Sequence, residues 1–350
     1  MQIMKRKVRY IAVLFFLVVF ACGTKAVAAE KTKEYHESWP VNSVQTLEIN
    51  NRFGDVNVTW KGGNDVTVDV VITVESPNEL RADELLEQIT VSFSKTGNAV
   101  VAETHLGRGF KTNLQFSIDY DVNIPPDKNL NITNKYGNVF VNELQASGTF
   151  DVQYGNFNAN QLNTPSSGSL NLNLAYGKGG IENANDMTVT VQYSTLNFGQ
   201  LNDLNLNSKY NVINLDQAKS VSAASKYDTF NFGKLESLSG GTKYTRIHIE
   251  KLSKSMKIDA GYGGIKVAKV DSGFEFISIT SSYGQISLGL GNASYSLDAS
   301  CDYCGISYPE SEFSGDRISE NHLRKVKGKV GDGSGGTVFV ESRYGQIKID

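Results

Sequence analysis

LNLNSKYNVINL (204–215) is followed by VSAASKYDTFNF (221–232) and LSGGTKYTRIHI (238–249), and these three lines decide the fold. Each has apolar or small residues at alternate positions up to a Lys-Tyr pair, then resumes the alternation three residues after the tyrosine. Leu204, Leu206, Ser208, Tyr210, Ile213 and Leu215 show it in the first line. Alternation with period two means a strand with one buried face. The odd step after tyrosine breaks that parity, so a bend must lie between two strands.

Read outward, the anchor falls at Tyr136, Tyr154, Tyr176, Tyr193, Tyr210, Tyr227, Tyr244, Tyr262, Tyr283, Tyr303 and Tyr344. From Tyr176 to Tyr244 the step is 17 residues, to Tyr262 it is 18, and the last gap is 41, room for a degenerate rung or a long excursion. Gly137, Gly155, Gly177, Gly263, Gly284 and Gly345 follow their tyrosines. A missing Cβ there opens backbone angles closed to other residues. One such unit cannot bury its own apolar face, but stacked copies bury a continuous column. The expected fold is all-β, a right-handed parallel β-helix with rungs about 4.8 Å apart, so eleven anchors make a rod of roughly 50 Å. Core parity assigns the tyrosines to packing, with an exposed aromatic track for sugar stacking as the alternative.

Leu47, Ile49, Asn51, Phe53, Gly54, Val56 and Val58 repeat the unit near the N-terminus. Alternating strands then surround one helical signal between Pro77 and Gln88, and Pro125-Pro126-Asp127 closes the block. The chain therefore divides into a leader (1–28), a β-rich cap with the first rung and one short helix (29–127), and the repeat (128–350). Within 309–336 the chain is polar, Gly-rich and basic through Arg317, His322, Arg324, Lys325, Lys327 and Lys329, and is expected to be a mobile loop.

Lys5, Arg6, Lys7 and Arg9 precede the apolar run Ile11 to Ala21, the pattern of an export signal too short for a permanent span. Ala26-Val27-Ala28 fits ordinary cleavage; Val19-Phe20-Ala21-Cys22 fits a lipoprotein box, with leader 1–21 and lipidation at Cys22. Either route takes the protein to the periplasm, the outer membrane surface or the outside. Cys301 and Cys304 then remain as a pair for a local disulfide or packed thiols. Redox and zinc roles fit poorly, because the pair lies in a strand repeat without nearby histidine.

A net charge of −3 lacks the concentrated basic surface of a nucleic-acid binder. Enzymes that act on polysaccharides also use this fold, but they need converging acids and bases. His36, His105, His248 and His322 lie on different segments, and Asp259, Asp298 and Asp302 are the nearest approach to an acidic column. No cofactor is implied. Two outward columns stand out at 17-residue steps: Lys209, Lys226 and Lys243, and Asn197, Asn214 and Asn231. The lysines are a solvated face or a shallow strip for acidic glycans; the asparagines read as a structural hydrogen-bond ladder.

Glu34-Tyr35-His36 through Pro40-Val41, Asn50 to Val56, Asn134-Lys135-Tyr136-Gly137-Asn138-Val139 and Ser225-Lys226-Tyr227 resemble the putative-adhesin family of exported bacterial β-helix proteins, common in Bacteroidetes. The resemblance implies an envelope protein that binds or scaffolds, with no catalytic residues to carry over. Cys301 and Cys304 depart from the pattern, replacing the small residue and the bend glycine. Expected partners are surface or envelope components, including glycans, met by a monomer without a transmembrane span. A carbohydrate-active β-helix enzyme, a lyase or hydrolase, is the rival, and a periplasmic sensor or assembly partner is the third option.

Overall fold

The computed structural model describes residues 29–350; the leader, its cleavage site and Cys22 lie outside them. The described residues form a β-solenoid of about nine turns, and their strands join in one 27-stranded hydrogen-bonded network. Successive turns pair in parallel and in register, as Leu204↔Val221 and Val221↔Leu238 do.

A regular turn has seven inward side chains, seen in Asn211, Ile213, Leu215, Ala218, Val221, Ala223 and Ser225. Inward residues alternate along the two arms, while three-residue steps mark corners beside Ala218 and at Tyr210. Stacked over the turns, these positions form one continuous apolar column that includes Leu172, Leu206, Phe230, Phe232 and Ile247. A single turn leaves this face in water, so burial comes from its neighbours.

The tyrosine corner differs from its sequence expectation in two respects. At Phe53 and nine of the eleven anchors the left-handed backbone angle belongs to the aromatic residue rather than the glycine, with φ 66° at Phe53, 56° at Tyr154 and 61° at Tyr210; Tyr262 and Tyr283 lack it, and after Tyr262 the positive φ falls on Gly263. That twist turns the ring out of the core, and the eleven anchor tyrosines are 39% to 53% exposed. The glycine is needed for proximity. A Cβ on Gly137 would come 1.8 Å from the Gly54 carbonyl oxygen, and one on Gly155 would come 1.9 Å from that of Gly137.

The two ends are closed by different means. The first rung, Thr46–Arg52 with Val56–Thr59, lies inside the stack rather than at its edge. Its outer neighbours are Ala99–Leu106 and Gln115–Asn123, which in turn pair antiparallel with Ile89–Thr96 and with Asp65–Ser76. Ala29–Pro40 adds a further antiparallel strand, and the helix Glu79–Glu87 packs Ala82, Leu85 and Leu86 into the core. These strands extend the faces of the solenoid beyond the first rung.

At the other end the chain order and the spatial order diverge. The strand Thr337–Arg343 inserts between Phe276–Tyr283 and Tyr295–Asp302, pairing in parallel with both. The segment expected to be a mobile loop forms an antiparallel hairpin, Phe313–Glu320 with Leu323–Val330, and its second strand covers Tyr295–Asp302. Burial of Phe313, Val326 and Val330 anchors it. Its charges, which suggested a loop, belong to an outward face.

Candidate functional site

The outward tyrosines stack on one another. Phe53, the eleven anchors and His322 make a ladder of thirteen rings; tyrosine centroids are 4.6 to 5.1 Å apart with interplanar angles of 1° to 18°. Strand spacing sets this interval, and it suits offset aromatic stacking. Tyr344 sits between Tyr283 and Tyr303 because of the inserted strand. The His322 ring, from the hairpin, stacks 4.1 Å from Tyr303 and ends the series.

Lys209, Lys226 and Lys243 are in register beside the ladder. The ammonium groups of Lys209 and Lys226 lie 5.2 and 5.3 Å from the ring centroids of Tyr210 and Tyr227. Attraction to the ring faces offsets some of the repulsion within the column. The second predicted column forms a ladder in which Asn214 Nδ2 donates to Asn197 Oδ1 and Asn231 Nδ2 to Asn214 Oδ1, each at 2.8 Å.

Beneath the corner, polar side chains take over where the bend glycine is absent. Asp228 is buried and accepts from Ser208 Oγ and Ser225 Oγ, both at 2.6 Å, and from Asn211 and Lys226 amides. A buried carboxylate is tolerated when donors surround it. Cys301 and Cys304 occupy the same two repeat positions as Ser225 and Asp228, and their sulfurs are joined as a disulfide with a Cα separation of 5.4 Å. A covalent link thus replaces a hydrogen bond across the last bend.

The titratable groups considered for catalysis are dispersed. His36 pairs with Asp69 at 2.5 Å, His105 with Ser92, His248 with Glu250 and His322 with Asp302. The Asp69 hydrogen bond and charge hold the His36 pKa above the usual imidazole value. Asp259, Asp298 and Asp302 do not form a column: Asp259 is in line with Thr280 and Glu341, Asp298 with Phe339, and Asp302 with Arg343. Asp298 faces Lys327, and Asp302 faces Arg343 and His322. Among the described residues no group of three His, Cys, Asp or Glu side chains is placed to hold a metal ion. No described helix is long and apolar enough to cross a membrane.

One concave region was missed from sequence. On the corner beside Leu201 and Ala218, a groove runs along the axis between two polar columns. Asn183, Gln200, Gln217, Lys234 and Lys251 are in register on one side. Asn185, Asn202, Lys219 and Glu236 line the other. The 17-residue step from Asn183 to Lys251 was visible, but its residue type changes from Asn to Gln to Lys along the column.

Residues 44–349 match the family model described as Toastrack DUF4097. No curated protein matches the chain. Among solved structures, a putative adhesin from Parabacteroides distasonis is 13% identical over 73% of this chain and 97% of its own, with a TM-score of 0.37. A putative adhesin from Bacteroides fragilis is 11% identical over 91% of this chain and 97% of its own, with a TM-score of 0.29. A putative cell adhesion protein from Clostridium sporogenes is 10% identical over 91% of this chain and 99% of its own, with a TM-score of 0.21.

Proposed function

We propose, for a chain that belongs to the Toastrack DUF4097 family, a non-enzymatic role as an exported binding or scaffolding module of the bacterial envelope. One observation carries this reading: the titratable groups stand in small, separate ion-paired sets, whereas identical side chains recur in register along several turns of the outside. Catalysis needs unlike groups converging on one bond. A register-locked column instead offers one weak contact many times, which suits a repetitive partner held by avidity. Lys209, Lys226 and Lys243 at the aromatic corner are one such column.

Incubating the protein with a panel of acidic polysaccharides tests the absence of chemistry. Unchanged polymers are expected; new reducing ends or unsaturated products contradict the proposal. Mass analysis of the N-terminus of exported protein tests the leader, with cleavage after Ala28 or a lipid on Cys22 as the two expected forms. An intact leader in the cytoplasm contradicts export.

A further inference from the structure

The groove at the corner beside Leu201 differs from the other polar columns in what its side chains have left to do. In the Asn197–Asn214–Asn231 ladder each amide bonds the next. Asn183, Gln200 and Gln217 are also stacked in register, yet their side chains make no hydrogen bond among the described residues. Each amide thus keeps a donor and an acceptor for a ligand. Across the groove Asn202 Nδ2 donates to Asn185 Oδ1 at 3.4 Å, which leaves its own carbonyl oxygen open.

Between these rims runs the corner itself, where Ala184, Leu201, Ala218 and Leu235 bury their small or apolar side chains in the core and leave a shallow floor. Sugars have the matching build, with hydroxyl edges that both donate and accept hydrogen bonds. Charge selects among sugars. Lys219 and Lys234 line the groove without a carboxylate partner among the described residues, whereas Glu236 is neutralised by Lys254 at 2.6 Å. The free charge is positive. From Asn183 to Lys251 the rim crosses five turns, roughly 19 Å at strand spacing, enough for several residues of a linear chain.

We propose that this groove binds a linear acidic polysaccharide lying along the solenoid axis. Hydroxyl groups meet the amides of Asn183, Gln200 and Gln217, and carboxylates meet Lys219 and Lys234. The inference rests on the binding role proposed above and moves the glycan contact from the aromatic corner to the opposite side of Asn214.

The test measures retention of the described chain, residues 29–350, on immobilised polygalacturonate, alginate and neutral galactan. Three proteins are compared: wild type, Gln200→Ala/Gln217→Ala/Lys234→Ala, and Lys209→Ser/Lys226→Ser/Lys243→Ser. Circular dichroism and thermal midpoints establish that the variants fold. The expected result is retention of wild type on an acidic polymer, a loss of at least about tenfold in the groove variant, and little change in the corner variant, each tenfold being about 1.4 kcal/mol. Equal retention of wild type and groove variant overturns the inference while leaving a binding role intact. Loss confined to the corner variant overturns it in favour of the lysine strip. Failure of wild type to bind any polymer overturns the inference and the glycan-binding reading together.

Discussion

The aromatic corner and the amide groove are built by the same device, one side chain repeated at each turn, but they use it in opposite ways. At the aromatic corner the repeated groups find partners within the protein: ring on the ring of the next turn, ammonium over the ring of its own turn, carboxylate under hydroxyl. In the groove the amides of Gln200 and Gln217 stand in register and bond to no protein atom among the described residues. Repetition with partners satisfied builds a wall; repetition with partners missing builds a surface that another molecule can complete. Stability should therefore depend on the first corner and binding on the second.

The largest expected effect is at the closest approach. Gly155→Ala puts a methyl group 1.9 Å from the Gly137 carbonyl oxygen and must force adjacent turns apart, with a loss on the order of 4 kcal/mol or failure to fold. Gly241→Ala is its control, since a Cβ there meets nothing within 4 Å, and its change should stay within about 0.5 kcal/mol. Urea unfolding compares the two.

Asp228→Ala comes next. It leaves the hydroxyls of Ser208 and Ser225 and the Asn211 amide without their buried acceptor, at about 3 kcal/mol in the same assay. Replacing Tyr193, stacked between Tyr176 and Tyr210 at 5.0 and 4.9 Å, should cost about 1 to 2 kcal/mol. Its φ of 51° adds a second distinction: Tyr193→Val should be worse than Tyr193→Asn by about 1 kcal/mol, because β-branched residues resist the left-handed region that asparagine enters readily. A valine no worse than asparagine would mean that the bend relaxes on substitution. Smallest of all, Gln200→Ala/Gln217→Ala should move stability by less than about 0.5 kcal/mol.

Much of the solenoid was legible because its period is written in residues that sequence reading weighs heavily. Tyrosine, glycine and alternating apolar positions gave the turns, the arms and even the Phe53 rung. The position of the left-handed angle was not legible. Glycine after tyrosine suggests backbone freedom, but Gly137 and Gly155 are there to let turns approach, and Tyr136 and Tyr154 carry the positive φ. The threading of Thr337–Arg343 between earlier strands was hidden as well, since sequence shows the 41-residue gap but not which neighbours a strand chooses. His322 joins the ladder from an antiparallel turn, outside any period. The groove escaped notice because its column passes from asparagine through glutamine to lysine, and a column is recognised most easily when one residue type fills it.

Whether the amide groove or the tyrosine ladder faces the ligand is decided by titrating residues 29–350, labelled at side-chain amides and tyrosine rings, with soluble oligogalacturonate under nuclear magnetic resonance. If the groove is the binding surface, the Gln200, Gln217 and Asn183 amide signals shift in a saturable way while Asn214 and the Tyr193 and Tyr210 rings stay in place. Shifts centred on the tyrosine rings, with the groove amides unmoved, would contradict it.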